Sequence, residues 1–157
     1  AVLKMVNKSA TQEEIADSAI KARDAGFALS VTVLLGLGGR KGSEKHIAET
    51  VRILNRIDPE YIGALTLLLP GELSEWYKKQ MPPDWEWPDK IELLREVRQM
   101  VAGLETTESV FRSNHASNYL PLKGTLKRDR DELLRIIDSA LSDPNSPLLR
   151  PEYYRAL

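Results

Sequence analysis

Apolar and polar positions along this chain repeat in blocks that switch between the helical and the extended period. Residues 2–7 read as a short helix. Thr11, with Glu14 three positions on, has the form of a capping box, the hydroxyl serving a helical N–H and the carboxylate reaching back. Ile15, Ala19 and Ala22 then fall on one stripe, and Gly26 is placed to end the helix. Residues 29–35, Leu-Ser-Val-Thr-Val-Leu-Leu, are β-branched or apolar almost throughout, which predicts a strand covered on both faces, as in a parallel sheet. A glycine-rich turn, Gly36-Leu-Gly-Gly-Arg-Lys-Gly42, follows it. Ser43 is the expected N-cap of the next helix, where Ile47, Val51, Leu54 and Ile57 recur at helical spacing until Asp58-Pro59 stops them.

A second buried strand is predicted over 61–69, closed by Pro70-Gly71. Beyond it lie a short helix over 72–79, a link rich in Pro and Trp over 81–88, and a longer helix over 89–104. That helix carries Leu94, Val97, Val101 and Leu104 on one face. Residues 106–111 are a third strand candidate. A charged amphipathic helix over 127–141 turns Leu133, Leu134, Ile137 and Leu141 inward, and 142–147 reads as loop. Strands alternating with helices predict a parallel α/β sheet, with connections long enough for right-handed crossovers. Three strands are too few for a closed barrel or a full doubly wound sheet. Either the sheet is small or the chain is part of a larger one; since it opens on Ala1 rather than Met, the second is the expectation.

At 157 residues the chain is long enough for one core. Its net charge of −1 gives no basic footprint for nucleic acid, and no apolar run is long enough to span a bilayer, so a cytoplasmic protein is expected. With no cysteine, the chain supplies no disulfide, no thiolate metal ligand and no ligand to an iron–sulfur cluster; with two histidines far apart, no metal site is expected. The glycine turn lacks the third glycine of a dinucleotide fingerprint, because Lys41 stands there, and no Gly-Lys-Ser/Thr closes it as a phosphate loop. Its backbone N–H groups are placed to cradle an anion or a ribose, or its glycines only permit a tight turn. Arg40 and Lys41 read as a solvated rim, and His46 as an exposed structural residue in a first helical turn. Trp76, Tyr77, Trp85 and Trp87 read as a small core pinning the proline link, or as a partner patch.

The run from Arg112 to Leu122, Arg-Ser-Asn-His-Ala-Ser-Asn-Tyr-Leu-Pro-Leu, follows the end of the third strand candidate. Side chains at the carboxyl ends of parallel strands converge where ligands bind. The same residues also suit a loop whose serines and asparagines bond the local backbone. No Ser/His/Asp constellation surrounds His115, and no catalytic residue is assigned.

The succession Val-Leu-Lys-Met-Val-Asn-Lys8, Ala-Thr-Gln-Glu-Glu-Ile15, Lys-Ala-Arg-Asp-Ala-Gly-Phe27 and Val-Thr-Val-Leu-Leu-Gly-Leu-Gly-Gly39 resembles the latter half of a radical SAM domain. Residues 61–71 are similar to that family's next strand and its Pro-Gly turn. Phe111 to Leu122 resembles the tail of a bacterial subgroup labelled oxygen-independent coproporphyrinogen oxidase-like, a label that leaves the substrate open. The resemblance implies parallel βα units forming the C-terminal part of a three-quarter (β/α)6 barrel over residues 1–125, with a helical tail over 126–157. In such enzymes a [4Fe–4S] cluster holds S-adenosylmethionine (SAM), and a 5′-deoxyadenosyl radical abstracts a substrate hydrogen. The family's C-x3-C-x2-C run is absent here, so the chain alone is expected to be inactive, to hold no cluster and to have at best weak affinity for the cofactor, neither group being expected bound to it alone.

The family's fifth-strand pattern, G-x-I-x-G-x-x-E, falls on Thr32, Leu34, Gly36 and Gly39; Leu34 and Gly36 keep its character, whereas Thr32 and Gly39 depart from it. The resemblance therefore implies adenine packing at Leu34 and Gly36, completed by Leu68 and Leu69. It implies substrate or cofactor contacts from Arg112, Asn114, His115 and Asn118. The expected partners are the N-terminal half of the same protein and a second copy of this chain paired through an open strand edge. The rival reading is a non-catalytic small α/β binding or interaction module, in which the polar run is a structural loop.

Overall fold

A computed structural model describes residues 2–156; Ala1 and Leu157, the outer bounds of the two expected segments, lie outside them. Helix α1 spans Val2–Met5 and α2 spans Gln12–Asp24, the latter opened by the Thr11–Glu14 capping box with both of its bonds present. Strand β1 (Ser30–Leu35) leads through the glycine turn to α3 (Gly39–Ile57) and on to β2 (Tyr61–Thr66). Then come α4 (Gly71–Gln80), the Pro/Trp link, α5 (Lys90–Gly103) and β3 (Val110–Arg112). Strand β4 (Lys123–Thr125), which the sequence pattern does not reveal, runs straight into α6 (Leu126–Ser142), and a 3-10 turn at Glu152–Tyr154 is the last described element.

The sheet order is β1-β2-β3-β4; β1, β2 and β3 are parallel and β4 returns antiparallel. Strands that follow one another in sequential order, each joined by a crossover of one hand, bring every helix to the same face. Here α3, α5 and α6 form one such layer: α3 packs on α5 and α5 on α6. Ile47 and Leu54 of α3, Leu94, Val97 and Val101 of α5, and Leu133 and Ile137 of α6 close one core over Leu35, Ile62, Ala64 and Phe111. Phe111 is fully buried there, a burial worth on the order of 2–3 kcal/mol. The expected helical tail thus contributes the third helix of this layer.

Among the described residues, nothing covers the opposite face. Register places Ser30, Thr32 and Leu34 of β1 beside Tyr61, Gly63 and Leu65 of β2, with Val110 and Arg112 of β3 and Lys123 and Thr125 of β4 continuing the rows. Leu34 is 37% exposed and Tyr61 44% exposed on it. The expectation of cover on both faces of residues 29–35 is therefore corrected. α2 does not cover the open face; it packs on α3 through Ala16, Ile53 and Ile57, with Leu29 and Val31 against that cluster from the helix side. β1 is also the sheet's edge. Tyr61 N–H donates to Leu29 O and Leu67 N–H to Leu35 O, so odd-numbered residues of β1 face β2 and the backbone groups of Ser30, Thr32 and Leu34 face outward.

Candidate functional site

At the carboxyl ends of β1 and β2 lies an open cavity of about 190 Å³. Leu67, Leu68 and Leu69, leaving β2, form one side, and Trp87, Pro88 and Leu93 form the other. Gly36 supplies a stretch of floor without a side chain; its φ is +84°, a backbone state that glycine adopts at no steric cost. Tyr119 and Arg155 close the polar end, the guanidinium lying 3.9 Å from the centroid of the tyrosine ring. Burial, with the hydrogen bond that Tyr119 donates to Glu152 at 2.5 Å, pushes the phenol up to about 12, so it stands as a donor at neutral pH.

The glycine turn is held from behind by a group the sequence reading missed. Glu96 of α5 is 1% exposed. Its carboxylate accepts the Gly36 N–H at 2.7 Å and the Ser43 hydroxyl at 2.6 Å. Burial raises its carboxyl above the ordinary range, while these two bonds pull the other way. The anion met by the turn's first N–H is thus the protein's own. One signal could have found it: Leu93, Glu96, Val97 and Met100 share an inward stripe on which an acid is out of place.

Ser43 is not the N-cap, because α3 begins at Gly39 and the serine hydroxyl is committed to Glu96. His46 consequently lies well inside the helix, where Nε2 donates to the outward-facing Leu34 carbonyl at 3.0 Å. Gly39, at φ +64°, lets Trp85 approach: a Cβ there would lie 2.5 Å from the indole Nε1. Trp85, Trp87 and Tyr77 pack with ring centroids 4.6–5.6 Å apart and hold the proline link beside the cavity, whereas Trp76 is 60% exposed. Arg40 fastens the same link through Glu86 and the start of α5 through Asp89 and Glu92, and Lys41 fastens the link through Asp84.

The polar run beyond β3 divides by burial. Asn118 is 2% exposed; its amide donates to Ala64 O at 2.7 Å and Ser113 O at 2.9 Å and accepts from Thr66 Oγ1 at 2.9 Å. Ser113 Oγ donates to Leu120 O and accepts from Leu122 N–H, and Ser117 Oγ accepts from Thr66 N–H. Ser117 and Asn118 bolt the loop to β2, and Ser113 ties the loop to its own backbone, as local backbone bonding predicts. His115 Nδ1 meets Ser117 Oγ at 3.0 Å, and Arg150 and Arg155 of the C-terminal segment bond the carbonyls of His115, Ser117 and Asn118.

The sequence-predicted residues thus fall into separate places. Gly36, Leu68 and Leu69 come together around the cavity. Leu34 and Arg112 lie on the open face, Asn114 and His115 are exposed on the loop, and Asn118 is inside it with every amide position engaged. Tyr119, Trp87 and Arg155 join Gly36, Leu68 and Leu69 at the cavity: in the sequence Trp87 reads only as part of the aromatic group at the link, Tyr119 stands in the polar run without a role, and no motif points to Arg155. Among the described residues, no group of three or more His, Cys, Asp and Glu side chains is placed to hold a metal ion, and no helix is long and apolar enough to cross a membrane. No protein-family model, curated protein or solved structure matches this chain.

Proposed function

We propose that this chain is the C-terminal part of a cytoplasmic radical SAM barrel and contributes part of the adenine pocket and part of the substrate side. The observation that supports this most is the single-sided sheet. Sequentially ordered parallel strands with helices on one face only have the form of a barrel arc, whose bare face becomes the lining when further strands close it.

A [4Fe–4S] cluster does not fit the residues of this chain, which offers no thiolate; its ligands belong to another part of the protein in this reading. The adenine end of SAM does fit. The cavity is smaller than the roughly 300–1,000 Å³ of whole-ligand pockets, which suits one ring system. Its leucine and tryptophan walls suit a purine face, and the Tyr119 ring, with its hydroxyl committed to Glu152, closes the polar end beside Arg155. Bound SAM supplies the family's hydrogen-abstracting radical; the residues here position and desolvate.

Residue-resolved NMR with S-adenosylhomocysteine, which needs no cluster, tests this. Weak binding is expected, with shifts at Gly36, Leu67–Leu69 and the Trp87 indole that Leu68→Asp removes. Shifts located elsewhere, or none at millimolar ligand, would reject it. The internal engagement of Ser113, Ser117 and Asn118 favours the rival, a non-catalytic α/β module, and that negative result is the one the rival predicts.

A further inference from the structure

The β3–β4 side of the open face carries a charge arrangement that nothing among the described residues neutralises. Arg112 and Lys123 are register partners on the antiparallel strands β3 and β4. Their buried neighbours Phe111 and Gly124 face the helices, so both cations stand on the open side. Ser113 N–H donates to Leu122 O, the next pair along, which leaves Arg112 and Lys123 as a pair without mutual ladder bonds, where opposed side chains stand closest. Like charges placed directly opposite in this way are unfavourable by themselves. Among the described residues neither has a salt-bridge or hydrogen-bond partner, whereas Arg40, Arg56, Arg98, Arg128 and Arg155 all end on carboxylates.

Beside Arg112, on the other strand, is Gly63, and beside that Thr32. A Cβ on Gly63 would find only the Thr32 hydroxyl at 3.8 Å and a Leu65 methyl at 4.0 Å, so the surface next to the guanidinium is bare. Along the strands, apolar groups flank this row: Leu34 and Leu65 toward the carboxyl ends, Tyr61 and Val110 toward the amino ends.

We infer that the Thr32–Gly63–Arg112–Lys123 row binds an oxyanion, a carboxylate or a phosphate, carried by a small molecule with an apolar body. Arg112 presents a planar fork to two oxygens, Lys123 adds a point charge, Thr32 adds a hydroxyl donor, and Gly63 leaves room for the group between them. Tyr61, Leu34 and Leu65 receive the body. This names the substrate class for the face proposed above as the substrate side, and it rests on that reading.

Residue-resolved NMR titrations of the chain at constant ionic strength test the row, with 3-phenylpropanoate, phenyl phosphate and neutral 3-phenylpropanamide as probes. At least one anion should shift Thr32, Gly63, Arg112 and Lys123 saturably, at least fivefold more tightly than the amide; the tighter anion identifies the oxyanion. Arg112→Gln and Lys123→Gln, both at exposed positions, should each weaken it at least fivefold. Equal response to the amide, shifts spread over unrelated surface cations, or full binding by Arg112→Gln would overturn the site. If S-adenosylhomocysteine shifts the cavity signals while the anions leave this row unmoved, the inference alone fails. The reverse pattern leaves the anion site standing without the cofactor reading.

Discussion

Glu96 is the residue on which the glycine turn depends most. Truncation by Glu96→Ala leaves the Gly36 N–H and the Ser43 hydroxyl without their acceptor and opens a void beneath the turn, a loss of about 2–4 kcal/mol in chemical denaturation. Glu96→Gln keeps an acceptor for Gly36 and a donor for Ser43 and should fold. It should also change the pH dependence. A carboxyl raised on folding means the native state holds more protons than the unfolded one, so its contribution is complete below the ordinary value of 4.5 and declines as pH rises through the raised folded value. Wild type should therefore lose stability relative to Glu96→Gln across that window; an unchanged difference between the two would show that Glu96 ionises as in water. Gly39→Ala makes the second residue-scale test. The Trp85 indole stands where the methyl would go, so about 1–3 kcal/mol should be lost, with red-shifted tryptophan emission as the cluster loosens.

At the scale of elements, the polar loop and β1 show what the sequence could and could not convey. Asn114 and Asn118 look alike in the run Ser-Asn-His-Ala-Ser-Asn, yet one is exposed and the other joins Ala64, Thr66 and Ser113. Asn118→Ala should cost about 2–3 kcal/mol and free the loop from β2, whereas Asn114→Ala should stay within about 0.5 kcal/mol. Equal effects in thermal melts would contradict the bracket role. The capping box at Thr11, the inward faces of α5 and α6 and the parallel order of β1 and β2 were legible because each depends on local spacing. Strand β4 was not: Lys123-Gly-Thr125 is three residues long and gains its conformation from pairing with β3. Nor was the start of α3, because Gly38 offers no side-chain cap and is followed by a glycine at positive φ against which Trp85 packs. The apolar run 29–35 encoded burial but not what provides it, and the chain covers only one of its faces.

For the whole molecule, the sheet is an arc with one bare face and, at β1, an unpaired edge. Leu34 O at that edge is met by His46, and β1 carries no proline or charge to discourage pairing. Concentrated samples should therefore associate through β1. Thr32→Pro, which removes an outward N–H and no ladder bond, should leave light scattering monomeric at every concentration. Hydrogen exchange of the β1 amides over a dilution series tests the open arc most directly. Val31 and Val33, which face β2, should be protected throughout, while Thr32 and Leu34 should exchange fast in dilute monomer and slow only as the chain associates. Protection of Thr32 and Leu34 in a dilute monomer would mean that the edge is already closed, and would contradict the barrel-arc reading.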